Sequence, residues 1–176
     1  MITNRFLKLI SIIFILTYSN ITLANNPIYF VDINFLINNS LAGKSISNQL
    51  ETKNLLLQKK LTKLELALKD VEQNIKSQKN ILSEDEINKK IQSFNKEVEI
   101  YKGERKKLIN NLTKSKNLAQ KELNTSLIKI ISAYSNKEGI SYIIHKQSII
   151  IGKTELDLTK KILKILDSEI KNITFK

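Results

Sequence analysis

Leu57-Gln58-Lys59-Lys60-Leu61-Thr62-Lys63-Leu64-Glu65-Leu66-Ala67-Leu68-Lys69-Asp70-Val71-Glu72-Gln73-Asn74-Ile75 is the stretch that decides the fold. Leu57, Leu61, Leu64, Leu68, Val71 and Ile75 step by four, three, four, three and four, which is the 3.5-residue period of a coiled-coil seam. Asn54 precedes the seam in register, and Gln78 and Leu82 continue it. A second seam reads Ile87, Ile91, Phe94, Val98, Tyr101, Arg105, Leu108 and Leu112, with Arg105 as a charged intruder. From residue 44 to residue 138 there is no proline, and Gly103 is the one glycine. Two helices of matching pattern joined by a short break pack antiparallel. Ser83 with Glu86 three residues later forms a capping box, and Glu84 and Asp85 put negative charge at the positive end of the second helix. The tip therefore lies near residues 82–84. Each arm reaches on the order of 60 Å at about 1.5 Å per residue.

Arg5 and Lys8 precede an apolar run from Leu9 to Leu16, and Thr22-Leu23-Ala24 offers small residues at the cleavage-determining positions. Residues 1–24 read as a cleaved signal peptide, because the apolar run is too short to span a bilayer. An exported chain enters an oxidising compartment, and with no cysteine it has no disulfide or thiol chemistry there. Without Arg5 and Lys8 the formal charge falls from +12 to +10. Such a surface attracts acidic partners. Anionic lipid, lipopolysaccharide or acidic polypeptides fit an exported protein better than nucleic acid, which is not expected as a partner. The abundance of lysine, asparagine and isoleucine throughout is also what an AT-rich genome produces.

Outside the arms the pattern changes. Ile28-Tyr29-Phe30-Val31, Ile140 to Ile144 and Ser148 to Ile151 are short β-prone runs. Gly139 stands where the second helix needs a left-handed C-cap, and Thr159 is placed to cap a last helix with Ile162, Leu163, Ile165 and Leu166 on its apolar face. The fold class is α+β: a small sheet body, a long helical hairpin inserted between strand 1 and strands 2 and 3, and a short C-terminal helix. Residues 25–43 form the first part of the body, 44–138 the hairpin and 139–176 the second part. So small a body with an exposed β-branched sheet favours association of chains through it.

The inventory leaves little for catalysis. His145 is the one histidine, no cysteine is present, and no glycine-rich phosphate loop occurs, so metal ligation and nucleophilic dyads lack their usual parts. No cofactor is implied. Asp32 and Asp157 lie at the ends of elements, where a carboxylate caps a helix.

The order of pieces resembles the Skp (OmpH) family of periplasmic chaperones. The features that carry this are a strand ending in Val31-Asp32, Ser40-Leu41-Ala42-Gly43-Lys44 leading into a long basic helix, and an antiparallel return. They continue with Lys137-Glu138-Gly139, a two-strand segment, and Asp157-Leu158-Thr159 before a short helix. The resemblance implies a homotrimer whose sheets join into a central body from which three hairpins hang as tentacles. It implies that the cavity between them holds unfolded outer-membrane proteins, without ATP, and prevents their aggregation. The tentacle here is richer in asparagine and isoleucine than the family pattern, and Asn54, Gln78 and Arg105 interrupt its seams.

Each polar seam position forgoes roughly 1.5–3 kcal/mol of apolar burial. Such positions either make the arms compliant or fix their register. Off the seams lie Leu55, Leu56, Leu66, Ile81, Ile100 and Ile109, among Lys59, Lys60, Lys63, Lys69, Lys76, Lys79, Lys89, Lys90, Lys96, Arg105, Lys106 and Lys107. Weak apolar contacts inside a positive field hold an acidic unfolded chain through many brief encounters. Leu66, Ile81, Ile100 and the basic residues are therefore the expected client-binding set. Asp32, Gly43, Ser83, Glu86, Gly139, Asp157 and Thr159 are the expected structural set. A coiled-coil spacer of the envelope and a basic binder of lipid or nucleic-acid surfaces are the alternatives.

Overall fold

A computed structural model describes residues 27–175. The proposed signal peptide lies outside the described residues. The elements run β1 (Tyr29–Val31), α1 (Ile33–Asn39), α2 (Leu41–Gln78), α3 (Glu84–Glu138), β2 (Ile143–His145) and α4 (Thr159–Glu169). Short 3₁₀ turns at Lys146–Ser148 and Thr154–Leu156 lie between β2 and α4. α2 and α3 form the hairpin, about 57 and 82 Å long at 1.5 Å per residue. Both strands flank it in sequence and pair in parallel, Phe30 opposite Ile144. A parallel pair requires a long crossover, and here the hairpin is that crossover.

The sheet has two strands, not the three read from the sequence. Ser148 to Ile151 joins no strand among the described residues, and Ile150 is 99% exposed. Two local features account for this. His145 Nδ1 accepts a bond from Gln147 N (3.0 Å), starting a 3₁₀ turn that leads the chain off β2. The free edge of β1 is already used, since Leu158 N donates to Phe30 O (2.9 Å).

The body is larger than the β-prone runs indicate. Its core joins Val31, Leu36 of α1, Ala42 and Ile46 of α2, and Ala119, Leu123, Leu127, Ile130 and Tyr134 of α3 to Leu158, Ile162 and Leu166 of the α4 segment. The base of each long helix, assigned to the hairpin from sequence, thus belongs to the core. The seam there is continuous with the tentacle's, so periodicity alone draws no boundary.

Several polar residues knit these parts together. Asp32 caps α1, its Oδ1 accepting from Phe35 N at 2.9 Å. Ser40, fully buried, caps α2 by accepting from Gly43 N at 3.1 Å. Gly43 has no alternative, since a Cβ there would stand 1.6 Å from the Ile37 carbonyl oxygen. Gly139 ends α3 at φ 65°, a left-handed conformation that favours glycine. Thr159 does not cap α4 with its side chain, as the sequence led us to expect. Asp157 Oδ1 takes the Thr159 N–H (2.9 Å), and this frees the Thr159 hydroxyl to accept from Asp32 N (2.9 Å). Asp157 also meets Lys146 at 2.8 Å. Burial alone would raise the Asp157 carboxyl, but the Lys146 ammonium and the Thr159 bonds outweigh it and hold it below its ordinary value.

Candidate functional site

Above the body, α2 and α3 have only each other to pack against. Leu57, Leu61, Leu64, Leu68, Val71, Ile75, Gln78 and Leu82 are each half-buried, as are Phe94, Val98, Tyr101, Leu108 and Leu112. A two-helix seam covers one stripe of each helix, so burial stays partial except at Ile87 beside the tip, which is buried, and the remaining faces are exposed.

Three seam positions depart from the periodic reading. Asn54 is exposed and lies outside the seam. Arg105 is exposed too, because the seam steps from Tyr101 to the half-buried Glu104 and then to Leu108. Glu104 pairs with Lys60 across the hairpin at 2.6 Å. Leu108 and Leu112 remain on the sequence-read seam, so the departure is local: residues 104 and 105 flank the seam line, and Glu104 is the one engaged across the hairpin. Ile91 is 41% exposed. An open groove of about 410 Å³ lies between the helices in this region, with Val71 and Ile75 facing Lys90 and Phe94.

Near the middle of the arm the Tyr101 hydroxyl donates to Glu65, and this bond raises the tyrosine above its ordinary value. At the tip, Glu86 Oε2 accepts both the hydroxyl (2.6 Å) and the N–H (3.0 Å) of Ser83. The hydroxyl bond first and the backbone bond second hold the Glu86 carboxyl below its ordinary value. Ser83 and Glu86 thus start α3.

All the cations read from the sequence as candidates for client binding are exposed: Lys59, Lys60, Lys63, Lys69, Lys76, Lys79, Lys89, Lys90, Lys96, Arg105, Lys106 and Lys107. Lys60 is paired with Glu104 and Lys76 with Glu72; the others form no ion pair among the described residues. Leu66 is 56%, Ile100 69% and Ile81 80% exposed, the last at the tip.

The structure brings some of these residues together in shallow grooves and leaves others apart. Leu55, Lys59, Lys63 and Leu66 line a groove of about 660 Å³ on the outer face of α2. Ile100 enters one of about 220 Å³ with Leu64, Leu68, Val71 and Tyr101, and a third with Lys107 beside Gly103. Lys69, Lys76, Lys79, Ile81, Lys89, Lys96, Arg105 and Lys106 line none of these grooves. The set is therefore a distributed surface and not a single pocket, with apolar patches separated by cations.

The body also exposes apolar side chains: Tyr142 is 65% and Ile151 90% exposed, in addition to Ile150. Residues that sequence periodicity did not single out include Glu104, which pairs with Lys60 across the hairpin, and Gln49 and Lys53, which hold the C-terminal tail. Among the described residues no helix is long and apolar enough to cross a membrane, and no three His, Cys, Asp or Glu side chains group to hold a metal ion.

No curated protein matches this sequence. A crystal structure of an OmpH-like protein from Caulobacter crescentus superimposes with a TM-score of 0.80 over 85% of this chain and 88% of the other, at 16% identity. That likeness establishes the fold: a long helical hairpin on a small α/β body. The profile of the family described as outer membrane protein (OmpH-like) matches residues 27–166, from before β1 into α4. The hairpin, its body and this match together place the chain in the OmpH-like family of outer membrane proteins.

Proposed function

We propose that the protein is an ATP-independent holdase of the periplasm, which binds unfolded outer-membrane proteins between its arms and keeps them from aggregating before membrane insertion. The observation that carries this reading is the arm surface: exposed Leu55, Leu66, Ile81 and Ile100 set among largely unpaired cations on a hairpin that leaves the body. Family membership supports it, and the Caulobacter crescentus protein carries a provisional assignment as an outer membrane chaperone. Long-range attraction gathers an acidic unfolded chain, and many weak apolar contacts retain it without a rigid site. Anionic lipid or lipopolysaccharide is a second acidic partner for the same charge.

The working form in this proposal is a homotrimer joined through the body. The unpaired Ile149 to Ile151 segment and the exposed Tyr142 and Ile144 provide apolar surface for that contact. The export implied by residues 1–24 places the protein where such clients pass.

The test is light scattering of a denatured outer-membrane β-barrel protein diluted into buffer with excess chain, without ATP, at low and high salt. Suppression that weakens as salt rises is expected. Reversing Lys59, Lys63, Lys89, Lys90, Lys106 and Lys107 to glutamate should reduce both the capture and its salt dependence, while one reversal alone changes little. Absence of suppression at any ratio overturns the holdase and leaves an envelope spacer.

A further inference from the structure

The family match ends at residue 166, yet the chain continues past α4 and turns back onto the root of the hairpin. The Ser45 hydroxyl donates to Asn172 Oδ1. One turn further along α2, Gln49 makes two bonds to the tail backbone: its Nε2 donates to Ile173 O (2.7 Å) and its Oε1 accepts from Phe175 N (3.1 Å). One turn beyond that, the Lys53 ammonium lies 5.5 Å from the centre of the Phe175 ring. Ile173 and Phe175 are buried in the core cluster that contains Ile46, Ala119 and Leu123, while Thr174 between them is exposed.

This is the geometry of an extended strand, with alternate side chains on opposite faces. The paired amide bonds of Gln49 read main chain only, so they select conformation and not sequence. Specificity resides in the two places that receive Ile173 and Phe175, and those ask for apolar side chains two residues apart.

We propose that the hairpin root is a binding site for extended polypeptide with apolar residues at alternate positions, occupied at rest by the chain's own tail and yielded to a client segment. The inference rests on the holdase reading for the identity of that segment. Strands of outer-membrane barrels alternate apolar and polar residues and so present the required pattern. The tail is tethered and competes at an effective concentration of roughly millimolar, so a lone short peptide displaces it poorly. A client already held along the arms is itself brought to high local concentration, and it exchanges with the tail. The tail thereby keeps the root closed until cargo is present.

Two measurements test this. Hydrogen exchange on the full chain, with and without the unfolded barrel protein, should show the Phe175 amide losing protection when cargo binds. Suppressed aggregation with Phe175 still protected overturns this inference and leaves the holdase intact; failure of suppression itself overturns the holdase. Fluorescence anisotropy provides an independent route. A labelled Lys-Asn-Ile-Thr-Phe-Lys peptide should bind the full chain carrying Ile173→Asp and Phe175→Asp at least about tenfold more tightly than the unaltered chain. A peptide of the same composition with its apolar residues adjacent should not, and adding Gln49→Ala should remove the gain. Equal binding to both chains, or to both peptides, overturns the proposal.

Discussion

The body and the arms are built from the same residue types and even from the same two helices, yet they bury them differently. Leu36, Leu123, Leu127, Ile162 and Leu166 of the body have no exposed surface, whereas every seam residue from Leu57 to Leu82 is only half-buried. The difference lies in the number of partners. In the body a stripe of α3 packs on α2 and α4 within a core shared with α1 and the tail; in the arm it meets one helix. Stability therefore concentrates at the base, while the arm retains a large accessible surface and few contacts to hold it rigid.

The largest expected effect tests that contrast directly. Leu127→Ala should cost about 2–5 kcal/mol, as for a fully enclosed leucine, while Leu64→Ala in the arm should cost well under half as much because solvent already reaches the site. Denaturant unfolding of the two variants measures both, and equal losses would break the comparison.

The two helical glycines sharpen it. At Gly43 a Cβ meets the Ile37 carbonyl at 1.6 Å, so Gly43→Ala should lower body stability by about 1–3 kcal/mol. At Gly103 a Cβ meets nothing within 4 Å, so Gly103→Ala should stabilise the arm by about 0.5–1 kcal/mol. Hydrogen exchange in each region reads the sign. A neutral Gly43→Ala would show that α1 can shift away from α2 at little cost.

The smallest effect is electrostatic. Asp157 has its folded pKa lowered, so the stability it contributes is fully present above its ordinary value and is lost as pH falls through the folded value. Asp157→Asn should flatten the acid limb of the stability curve below about pH 4 and, because Asp157 is also what raises Lys146, remove the loss of stability that accompanies Lys146 deprotonation on the alkaline side. The effect is modest because Lys146 is exposed and water screens the pair. An unchanged acid limb would show that neither Lys146 nor Thr159 holds the Asp157 carboxyl below its ordinary value, and would overturn this prediction.

Much of the arm was legible in the sequence because a seam between two helices is a local, periodic property. The half-buried set from Leu57 to Leu82, the Ser83–Glu86 start of α3 and the left-handed Gly139 follow from spacing and capping chemistry. The seam reading failed at Arg105, where its neighbour Glu104, on the other side of the seam line, makes the cross-hairpin pair with Lys60. The body was less legible. Ile149 to Ile151 has strand composition, but the 3₁₀ turn at Lys146–Ser148 leads it off β2, and the edge of β1 is taken by Leu158.

Sequence alone determined the hairpin, its tip, its exposed cationic and apolar surface, and the order of elements that resembles the OmpH-like chaperones. Each of these depends on residues within a few turns of one another, where periodicity and backbone preference act directly. Tertiary structure alone decided that Ala119 to Tyr134 is core, that β1 pairs in parallel with β2, that Thr159 serves Asp32, and that the tail seats on Gln49. These join residues up to 127 positions apart, and burial or pairing at such a distance depends on which surfaces meet once the helices have packed.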